Sequence, residues 1–310
     1  MLYFIINEKS KSGNAKQIWK EIEEVLKVRN VSYQAFVSEY RGHAGKLATE
    51  ICAMDDNDIC LVAVGGDGTA NEVINGITDF EKVRFGVIPT GSGNDLARGL
   101  SLSKDPKNGA IHILNAMKKS REDTWCMDLG EVSLGDKKRL FAISAGIGLD
   151  ALVCKKALKS TIKDILNKIR LGKLTYLVLT VQSLFTMQTA DAEIFFDREE
   201  GLQKKRMIFT AAMNFKAEGG GVPMAPAASA CDGKLSFCET AGIPKWRTFL
   251  CLPFLVAAKH TSIHGFSVTD AKDCTIRLSR PMVVHADGEY CGEVTEVHFH
   301  CLPGKLRVLK

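Results

Sequence analysis

Two glycine-rich segments combine residue types and spacing that can hold a phosphate group. Gly-Gly-Asp-Gly-Thr at residues 65–69 follows the apolar run 59–64, and Pro-Thr-Gly-Ser-Gly-Asn-Asp at 89–95 follows the apolar run 85–88. Glycine lets backbone N–H groups approach an anion because no Cβ is in the way, and a helix beginning at each segment adds its positive N-terminal end. The sequence therefore predicts two phosphate-binding loops.

An acidic residue lies inside each loop, Asp67 in the first and Asp95 in the second. A carboxylate alone would repel phosphate, so these residues indicate either a metal ion or a hydrogen-bond network that organises the loops. The alternative for the first loop is a tight turn between strand and helix, with Thr69 as the N-cap. Turn chemistry does not require a second loop on the next strand, and the sequence lacks the Walker A pattern.

The first 125 residues alternate apolar runs with amphipathic segments, which predicts a three-layer α/β domain with a mostly parallel sheet. Ligands of such sheets bind at the carboxyl ends of the strands, where both loops lie. From residue 126 onward, short alternating strands predict a β-sandwich interrupted by helical segments at 151–185 and 244–260. We therefore expect two domains, 1–125 and 126–310, in agreement with the length of 310 residues.

The composition is that of a well-packed globular protein, with 45% hydrophobic and 25% charged residues. The net charge of +5 is too small to predict a nucleic-acid partner, but it favours anionic substrates or an anionic lipid surface. Ten cysteines without C-x-x-C pairs are typical of reduced thiols, so we expect a cytoplasmic location. The seven histidines show no metal-ligand spacing and are interpreted as structural.

The two loops together resemble one known family. The sequences G-G-D-G-T-A-N-E at 65–72 and P-T-G-S-G-N-D-L-A-R at 89–98 resemble the catalytic domain of diacylglycerol kinases, in its branch of soluble bacterial lipid kinases. The similarity continues at 7–14, 127–130, 145–151 and 287–289, although Glu8 replaces the usual proline of the first segment. It implies an α/β domain related to phosphofructokinases and NAD kinases, followed by a β-rich domain.

The resemblance implies an ATP- and Mg²⁺-dependent kinase that phosphorylates a hydroxyl of diacylglycerol or a related lipid. Asp67, Asp95 and Asp128 would form an acidic cluster with the catalytic magnesium, a hard cation that carboxylate oxygens suit. The residues that would contact ATP are Asn7, Ser10, Ser12, Gly13, Asn14, Ser38, Gly65, Gly66, Asp67, Gly68, Thr69, Ala70, Asn71, Glu72, Ser92, Gly93 and Asn94.

The segment Asp287-Gly288-Glu289 supports two interpretations. Asp-Gly between alternating strands is a strong hairpin signal and needs no catalytic role. The resemblance makes Asp287 and Glu289 candidates for the base that accepts the proton of the acceptor hydroxyl. The sequence does not distinguish between the two carboxylates.

The resemblance also implies a structural metal site at Asp232, completed by main-chain oxygens near Ser229 and Lys234. Ala227 and Cys231 stand where the family usually has acidic residues. A plain β-turn therefore remains the alternative at this position.

A basic amphipathic run at 155–173 carries seven Lys or Arg residues and one acidic residue. Such a helix can lie transiently on an anionic membrane, which a lipid kinase must visit, or it can be a solvated helix packed on its own domain. Two rival functions stay open: a kinase of the same fold that acts on a sphingoid base or phosphatidylglycerol, and a nucleotide-binding, membrane-associated protein without turnover. A homodimer is also left open.

Overall fold

The computed structural model describes residues 1–8, 15–91, 93–159, 172–197 and 200–310. The chain divides into two compact units. The first comprises Met1–Leu129 with Pro303–Lys310, and the second comprises Gly130–Leu302. Each unit encloses its own cluster of buried apolar side chains.

The first unit is built on a parallel sheet. Its strands are β1 (Leu2–Ile6), β2 (Tyr33–Val37), β3 (Ile59–Gly65) and β4 (Val83–Pro89), and its helices are α1 (Ala15–Val28), α2 (His43–Cys52), α3 (Asp67–Gly76), α4 (Asp95–Gly99) and α5 (Pro106–Ala116). The strand order is β2-β1-β3-β4, and the end of β14 (Glu289–Val308) pairs in parallel with β4. The central strands are fully buried because helices cover both of their faces.

Side-chain alternation along β1 shows how the two faces are covered. Phe4 packs in one cluster with Ile22 of α1 and Ile113 of α5. The neighbouring Tyr3 and Ile5 are equally buried and point to the opposite face, where α2 contacts β1 and α3 contacts β3. Burial of each large apolar side chain stabilises this unit by roughly 1.5–3 kcal/mol. The predicted three-layer α/β domain is confirmed.

Close contact between α2 and α3 depends on two glycines. A Cβ added at Gly76 would lie 2.1 Å from the carbonyl oxygen of Gly45, so any side chain at residue 76 would force the helices apart. Thr49 Oγ1 donates to the carbonyl oxygen of Gly76 at 2.9 Å across the same contact. This packing fixes α3, whose first residues belong to the glycine-rich loop.

The second unit is an antiparallel assembly. Its strands are the end of β5 (Trp125–Leu134), β6 (Lys137–Phe141), β7 (Ser144–Gly148), β8 (Ala190–Phe196), β9 (Leu202–Met207), β10 (Phe209–Met213), β11 (Leu235–Thr240), β12 (Phe266–Ala271), β13 (Asp273–Ala286) and most of β14. One path runs β12-β11-β10-β7-β13-β14, while β8 pairs with β13 and β9.

Strand β13 serves two sets of partners along its length. Its first half pairs with β8, and its last residues, Val284 to Ala286, pair with β7. The register against β14 shifts between Arg277 and Met282. A strand that changes partners at an irregularity is how sandwich folds turn a corner. The predicted β-sandwich is confirmed.

The described part of the second unit contains three α-helices: α6 (Leu149–Lys159), α7 (Gly172–Thr186) and α8 (Lys245–Val256). The sequence predicted one helical segment over 151–185, and the centre of its basic run, with Lys163, Lys168 and Arg170, lies outside the described residues. Lys155 Nζ lies 3.4 Å from Glu293 Oε1 and above the ring of Tyr290. Within the described residues, none of the helices combines the length and apolar content that a bilayer crossing requires.

The structure adds elements that the sequence did not indicate. Strands β9 and β12 were not predicted, and the single strand expected over 139–144 is divided between β6 and β7. β9 is mostly exposed and polar, so it lacks the apolar alternation on which strand prediction depends. The helix predicted to begin at the second glycine-rich segment is the short α4.

Candidate active site

The first glycine-rich loop leads from β3 into α3. Gly66 is extended, with φ −92° and ψ −176°, and it is the N-cap of α3 without a side-chain cap. Thr69 lies inside the helix and packs over Gly65, where an added Cβ would be 2.5 Å from the Thr69 Cβ. Asn7 Nδ2 donates to Thr69 Oγ1 at 3.0 Å. Thr69 is therefore not the N-cap that the turn alternative required.

The second loop is held by one asparagine. The Gly91 N–H donates to Asn94 Oδ1 at 2.9 Å, and Asn94 Nδ2 donates back to the Gly91 carbonyl oxygen at 2.8 Å. Asn94 has φ 53°, a left-handed conformation that asparagine tolerates better than most residues. Ser92, between these two residues, lies outside the described residues.

Backbone contact joins the two loops. A Cβ at Gly91 would lie 2.7 Å from the Cα of Gly66, a distance that no side chain can occupy. The Thr90 N–H also donates to the Gly65 carbonyl oxygen at 2.8 Å. The two glycine-rich segments, predicted separately, thus form one continuous backbone surface at the carboxyl ends of β3 and β4.

Asp67 ties the first loop to the start of α4. Its Oδ2 accepts from the Asp95 N–H at 3.0 Å, and its Oδ1 accepts from the Leu96 N–H at 3.1 Å. Burial raises the pKa of Asp67, while the Leu96 N–H and the positive charge of Arg98 oppose that shift. Of the two roles that the sequence left open for this carboxylate, the structure shows the hydrogen-bond network.

Asp95 lies close to Asp67, at the start of α4. It is buried, forms an ion pair with Arg98, and Arg98 Nη2 donates to the Gly93 carbonyl oxygen at 2.9 Å. The position that a Cβ at Gly93 would occupy is 3.1 Å from Asp67 Oδ2 and 3.6 Å from Asp95 Oδ2. Two carboxylates therefore converge at Gly93, and their oxygens are of the kind that Mg²⁺ prefers.

Asp128 is the third aspartate of the predicted cluster. It is buried on β5, and its Oδ1 accepts from the Gly304 N–H at 2.7 Å. In the described part of the chain, Asp67, Asp95 and Asp128 do not form a group whose ligand atoms all lie within 4.8 Å of one another. Mg²⁺ usually keeps several waters, so a magnesium site does not require all of its carboxylates to lie this close together.

Other predicted ATP contacts lie at neighbouring strand ends. Asn7 follows β1 and donates its N–H to the Val64 carbonyl oxygen at 3.0 Å, and Ser38 follows β2 and donates to the Ile6 carbonyl oxygen at 2.8 Å. Gly68, Ala70, Asn71 and Glu72 lie in α3, where Glu72 Oε1 accepts from the Gly42 N–H at 2.8 Å. The remaining predicted contacts lie outside the described residues: Ser10, Ser12, Gly13 and Asn14.

In the second unit, Asp287 and Gly288 form the turn between β13 and β14. Their φ values of 48° and 82° are those of a two-residue hairpin with left-handed central residues. Asp287 also reaches a distant segment: Oδ2 accepts from the Ala142 N–H at 2.8 Å, and Oδ1 accepts from Ile143 at 2.8 Å and Ser144 at 3.1 Å. The hairpin interpretation is therefore correct but incomplete.

A histidine, His285, forms a hydrogen bond with this turn. His285 Nδ1 accepts from the Gly288 N–H at 3.1 Å, and its Nε2 lies 3.1 Å from Asp150 Oδ2. The sequence analysis interpreted His285 as structural. The signal that could have indicated its contact with the turn is its position two residues before Asp287.

Glu218 lies beside this pair and accepts a hydrogen bond from Ser144 Oγ. Burial raises the pKa of Glu218, the nearby His285 opposes this shift, and Asp150 adds to it. The residues around Asp287 thus form one connected polar network.

Asp232 lies in an exposed turn. Its Oδ1 accepts from the Lys234 N–H at 3.1 Å, and Ser229 Oγ lies 3.4 Å from Cys231 Sγ. Among the described residues, Asp232 belongs to no group of three His, Cys, Asp or Glu side chains compact enough to hold a metal ion. The hydrogen bond of Asp232 is that of a local Asx turn, and the predicted metal site with main-chain oxygens near Ser229 and Lys234 stays a prediction.

Comparisons with known proteins agree with this arrangement. Residues 1–132 match the family described as diacylglycerol kinase catalytic domain, and residues 144–310 match the YegS C-terminal NAD kinase beta sandwich-like domain. A curated relative from Bacillus subtilis (strain 168), named "Putative lipid kinase YtlR", is 30% identical over 99% of this chain and 98% of its own length.

Two solved structures share the fold. A diacylglycerol kinase from Bacillus anthracis str. Sterne has a TM-score of 0.70 at 18% identity, over 99% of this chain and 96% of its own. An NAD kinase from Archaeoglobus fulgidus in complex with ATP has a TM-score of 0.57 at 13% identity, over 100% of this chain and 94% of its own. With both halves of the chain matched, the protein belongs to the diacylglycerol kinase family of lipid kinases.

Proposed function

We propose that this protein transfers the γ-phosphoryl group of ATP to a hydroxyl of diacylglycerol or a related lipid. Family membership supports a kinase, and the ATP in the similarly folded NAD kinase supports the nucleotide. The observation that carries the proposal is the glycine surface, in which Gly66 and Gly91 touch and Asp67 holds both loops. Phosphoryl transfer depends mainly on positioning and electrostatic stabilisation, which backbone N–H groups brought together at this surface can supply.

The phosphates of ATP would bind the backbone N–H groups of the two loops, with Asn7 and Ser38 at the neighbouring strand ends. Asp67, Asp95 and Asp128 are the residues that would hold Mg²⁺. When bound, the ion supplies positive charge that offsets charge on the phosphates. Asp67 has a second role, since its hydrogen bonds to the Asp95 and Leu96 amides keep the second loop in place.

Glu289 is the preferred proton acceptor in this proposal. Both oxygens of Asp287 already accept backbone N–H groups, which makes Asp287 an anchor for residues 142–144. Glu289 follows Gly288 directly and is partly exposed. As the lipid hydroxyl oxygen attacks the γ-phosphorus, its proton passes to Glu289, the bond to the β-phosphate oxygen breaks, and ADP leaves.

Exposed apolar side chains support a transient position at a membrane surface. α8 exposes Trp246 by 60%, Leu250 by 57% and Phe254 by 49%, and the ring of Phe249 lies 6.1 Å from that of Phe185 on α7. Large exposed aromatic residues are unusual on a free surface and suit insertion at the headgroup level of a bilayer. We therefore propose a cytoplasmic enzyme that visits the membrane to reach its lipid.

The test is incubation of the full chain with γ-labelled ATP, Mg²⁺ and vesicles containing diacylglycerol, a sphingoid base or phosphatidylglycerol, followed by mass analysis of the labelled product. We expect labelled phosphatidic acid from the diacylglycerol vesicles and loss of label with Asp67→Ala and Glu289→Gln. Label in another lipid would change the proposed acceptor but would still support the proposal that the protein is a lipid kinase. Absence of labelled lipid from folded, ATP-binding protein would overturn the proposal.

A further inference from the structure

The described chain contains two groups of three His, Asp or Glu side chains whose ligand atoms lie within 4.8 Å of one another. The first, Asp150, Glu218 and His285, belongs to the network that supports the Asp287 turn. The second, Asp273, His298 and His300, lies on β13 and β14 and has no part in the proposed kinase chemistry. It differs from the first group because its members are all partly exposed to solvent.

Strand pairing places the second group on one face. In the antiparallel register, Asp273 is opposite His300 and Thr275 is opposite His298. Side chains two residues apart on a strand share a face. The alternate residue Phe299 is fully buried, so the two imidazoles both project from the outer face of the hairpin.

The ligand atoms converge on one carboxylate oxygen. His300 Nδ1 lies 2.7 Å from Asp273 Oδ1, and His298 Nε2 lies 3.4 Å from the same oxygen. At ligand bonds of about 2.0–2.2 Å, two ligands of a tetrahedral zinc ion are about 3.3 Å apart. Small side-chain adjustments therefore suffice to place an ion between these three atoms.

The neighbours of these side chains hold them in place. His298 Nδ1 lies 3.0 Å from Thr275 Oγ1, and when the ring carries its proton there, the lone pair of Nε2 is directed toward Asp273. A partner on the second ring nitrogen is the usual way to orient a metal-binding histidine. The Asp273 N–H donates to Asp197 Oδ1 at 2.8 Å, which fixes the backbone of the carboxylate.

The local charge balance permits a cation. Arg277 is the nearest basic side chain on the same face of β13, and its Nε donates to Glu296 Oε2 at 2.9 Å while its guanidinium lies over the Phe195 ring. Its positive charge is therefore compensated by Glu296. Two imidazoles and one carboxylate form a ligand set of intermediate softness, typical for zinc and unsuited to magnesium.

We propose that Asp273, His298 and His300 bind one Zn²⁺ ion on the outer face of the β13–β14 hairpin, with water completing the coordination. The ion joins the two strands at the end opposite the Asp287 turn. Because it binds the folded hairpin, zinc raises the melting temperature of the protein. The proposal is independent of phosphoryl transfer, so its test does not require kinase activity.

The test is a titration of metal-free full-length protein with Zn²⁺ in competition with a chromophoric chelator, together with melting curves. The background is Cys126→Ser with Cys231→Ser, because exposed thiols also bind zinc. We expect one zinc per chain, lost in His300→Ala and in Asp273→Asn and retained in the control His112→Ala, whose side chain is exposed on α5. Thr275→Val keeps all three ligands and should weaken affinity by about 10- to 100-fold.

Unchanged zinc stoichiometry in His300→Ala and Asp273→Asn would overturn the proposal. The proposal would also be overturned if the Cys126→Ser, Cys231→Ser protein bound no zinc when the ion is in excess. The thiols of Cys126 and Cys231 would then be the zinc ligands of the parent protein. Melting temperatures measured without zinc show whether each variant is folded, so loss of binding is not confused with loss of structure.

Discussion

The second unit contains two Asp-Gly turns with very different surroundings. The carboxylate of Asp232 accepts from the Lys234 N–H, two residues further along, and the side chain is exposed. The carboxylate of Asp287 accepts from three consecutive backbone N–H groups more than 140 residues away in sequence. The same dipeptide therefore makes a local turn in one place and a long-range clamp in the other.

The difference shows that the partner, and not the dipeptide, decides what an Asp-Gly turn does. Hydrogen bonds to a charged group contribute about 1.5–3 kcal/mol each, and backbone N–H groups left unpaired carry a desolvation penalty. At Asp287 these contributions involve three amides and connect β14 to the start of β7. At Asp232 the same chemistry stabilises only the turn itself.

The largest expected effect is a difference in kcat between variants of the residues that follow the two Asp-Gly turns, Glu289 and Lys234. Glu289→Gln removes the proposed proton acceptor and should lower kcat by about 10²- to 10⁴-fold. The matched Lys234→Gln should leave kcat unchanged. Steady-state lipid phosphorylation measures both, and KM for ATP should stay constant in each. Equal kcat values for the two variants would remove Glu289 from the mechanism.

The next comparison concerns stability. Asp287→Ala leaves three backbone N–H groups without their acceptor and should lower the free energy of unfolding by about 3 kcal/mol or more. Asp232→Ala removes a hydrogen bond in an exposed turn and should change it by less than about 0.5 kcal/mol. Urea unfolding followed by circular dichroism measures the two values. If both variants lose the same stability, the clamp is not a stabilising element.

His285 should have an intermediate effect on the same turn. His285→Phe keeps an aromatic ring, slightly larger than imidazole, but leaves the Gly288 N–H and Asp150 without a partner, which should destabilise the protein by about 1–3 kcal/mol. Urea unfolding measures this value too. A control is His264→Phe, since His264 lies outside this network. A stability loss in the control as large as in His285→Phe would contradict a specific role for His285.

The smallest expected effect is a pH dependence at Glu218. Burial raises the pKa of this carboxyl above its ordinary value of 4.5, so the folded state holds the proton more tightly than the unfolded state. The stability of the parent protein therefore falls as the pH rises from about the unfolded pKa through the folded one. Glu218→Gln is neutral and can still accept from Ser144, so its melting temperature relative to the parent should increase over that window and then level off.

A relative melting temperature that decreases with rising pH would contradict this assignment. His285, Asp150 and Asp287 are the charged or titratable groups that affect Glu218, and all three are unchanged in the Glu218→Gln variant. Glu218 also contributes to the raised pKa of His285, so comparing the variant with its parent at each pH reports the titration of Glu218 together with its effect on His285.

The sequence predicted features that depend on local pattern. The apolar runs before Gly65 and Gly91 and the βα alternation were enough for the fold class and for two loops on adjacent strands. The alternation after residue 125 was enough for the sandwich. Polar β9 was missed because an exposed edge strand has no apolar face.

Features that depend on distant contacts were not predictable. The partners of Asp287 lie at 142–144, and Asp150 meets His285 across 135 residues, so neither contact leaves a local signal. His298 and His300 did leave a local signal, because residues two apart on a strand share a face. The third ligand candidate, Asp273, is brought to them only by strand pairing. Sequence reasoning interpreted both histidines as structural.

The hydrogen bonds of Asp67 affect the thermodynamics of nucleotide binding. Because Asp67 accepts from the amides of Asp95 and Leu96, the first residues of α4 are held in place before any ligand arrives. The conformational entropy of these residues is lost during folding and not on association, so a larger share of the contact energy is available for affinity.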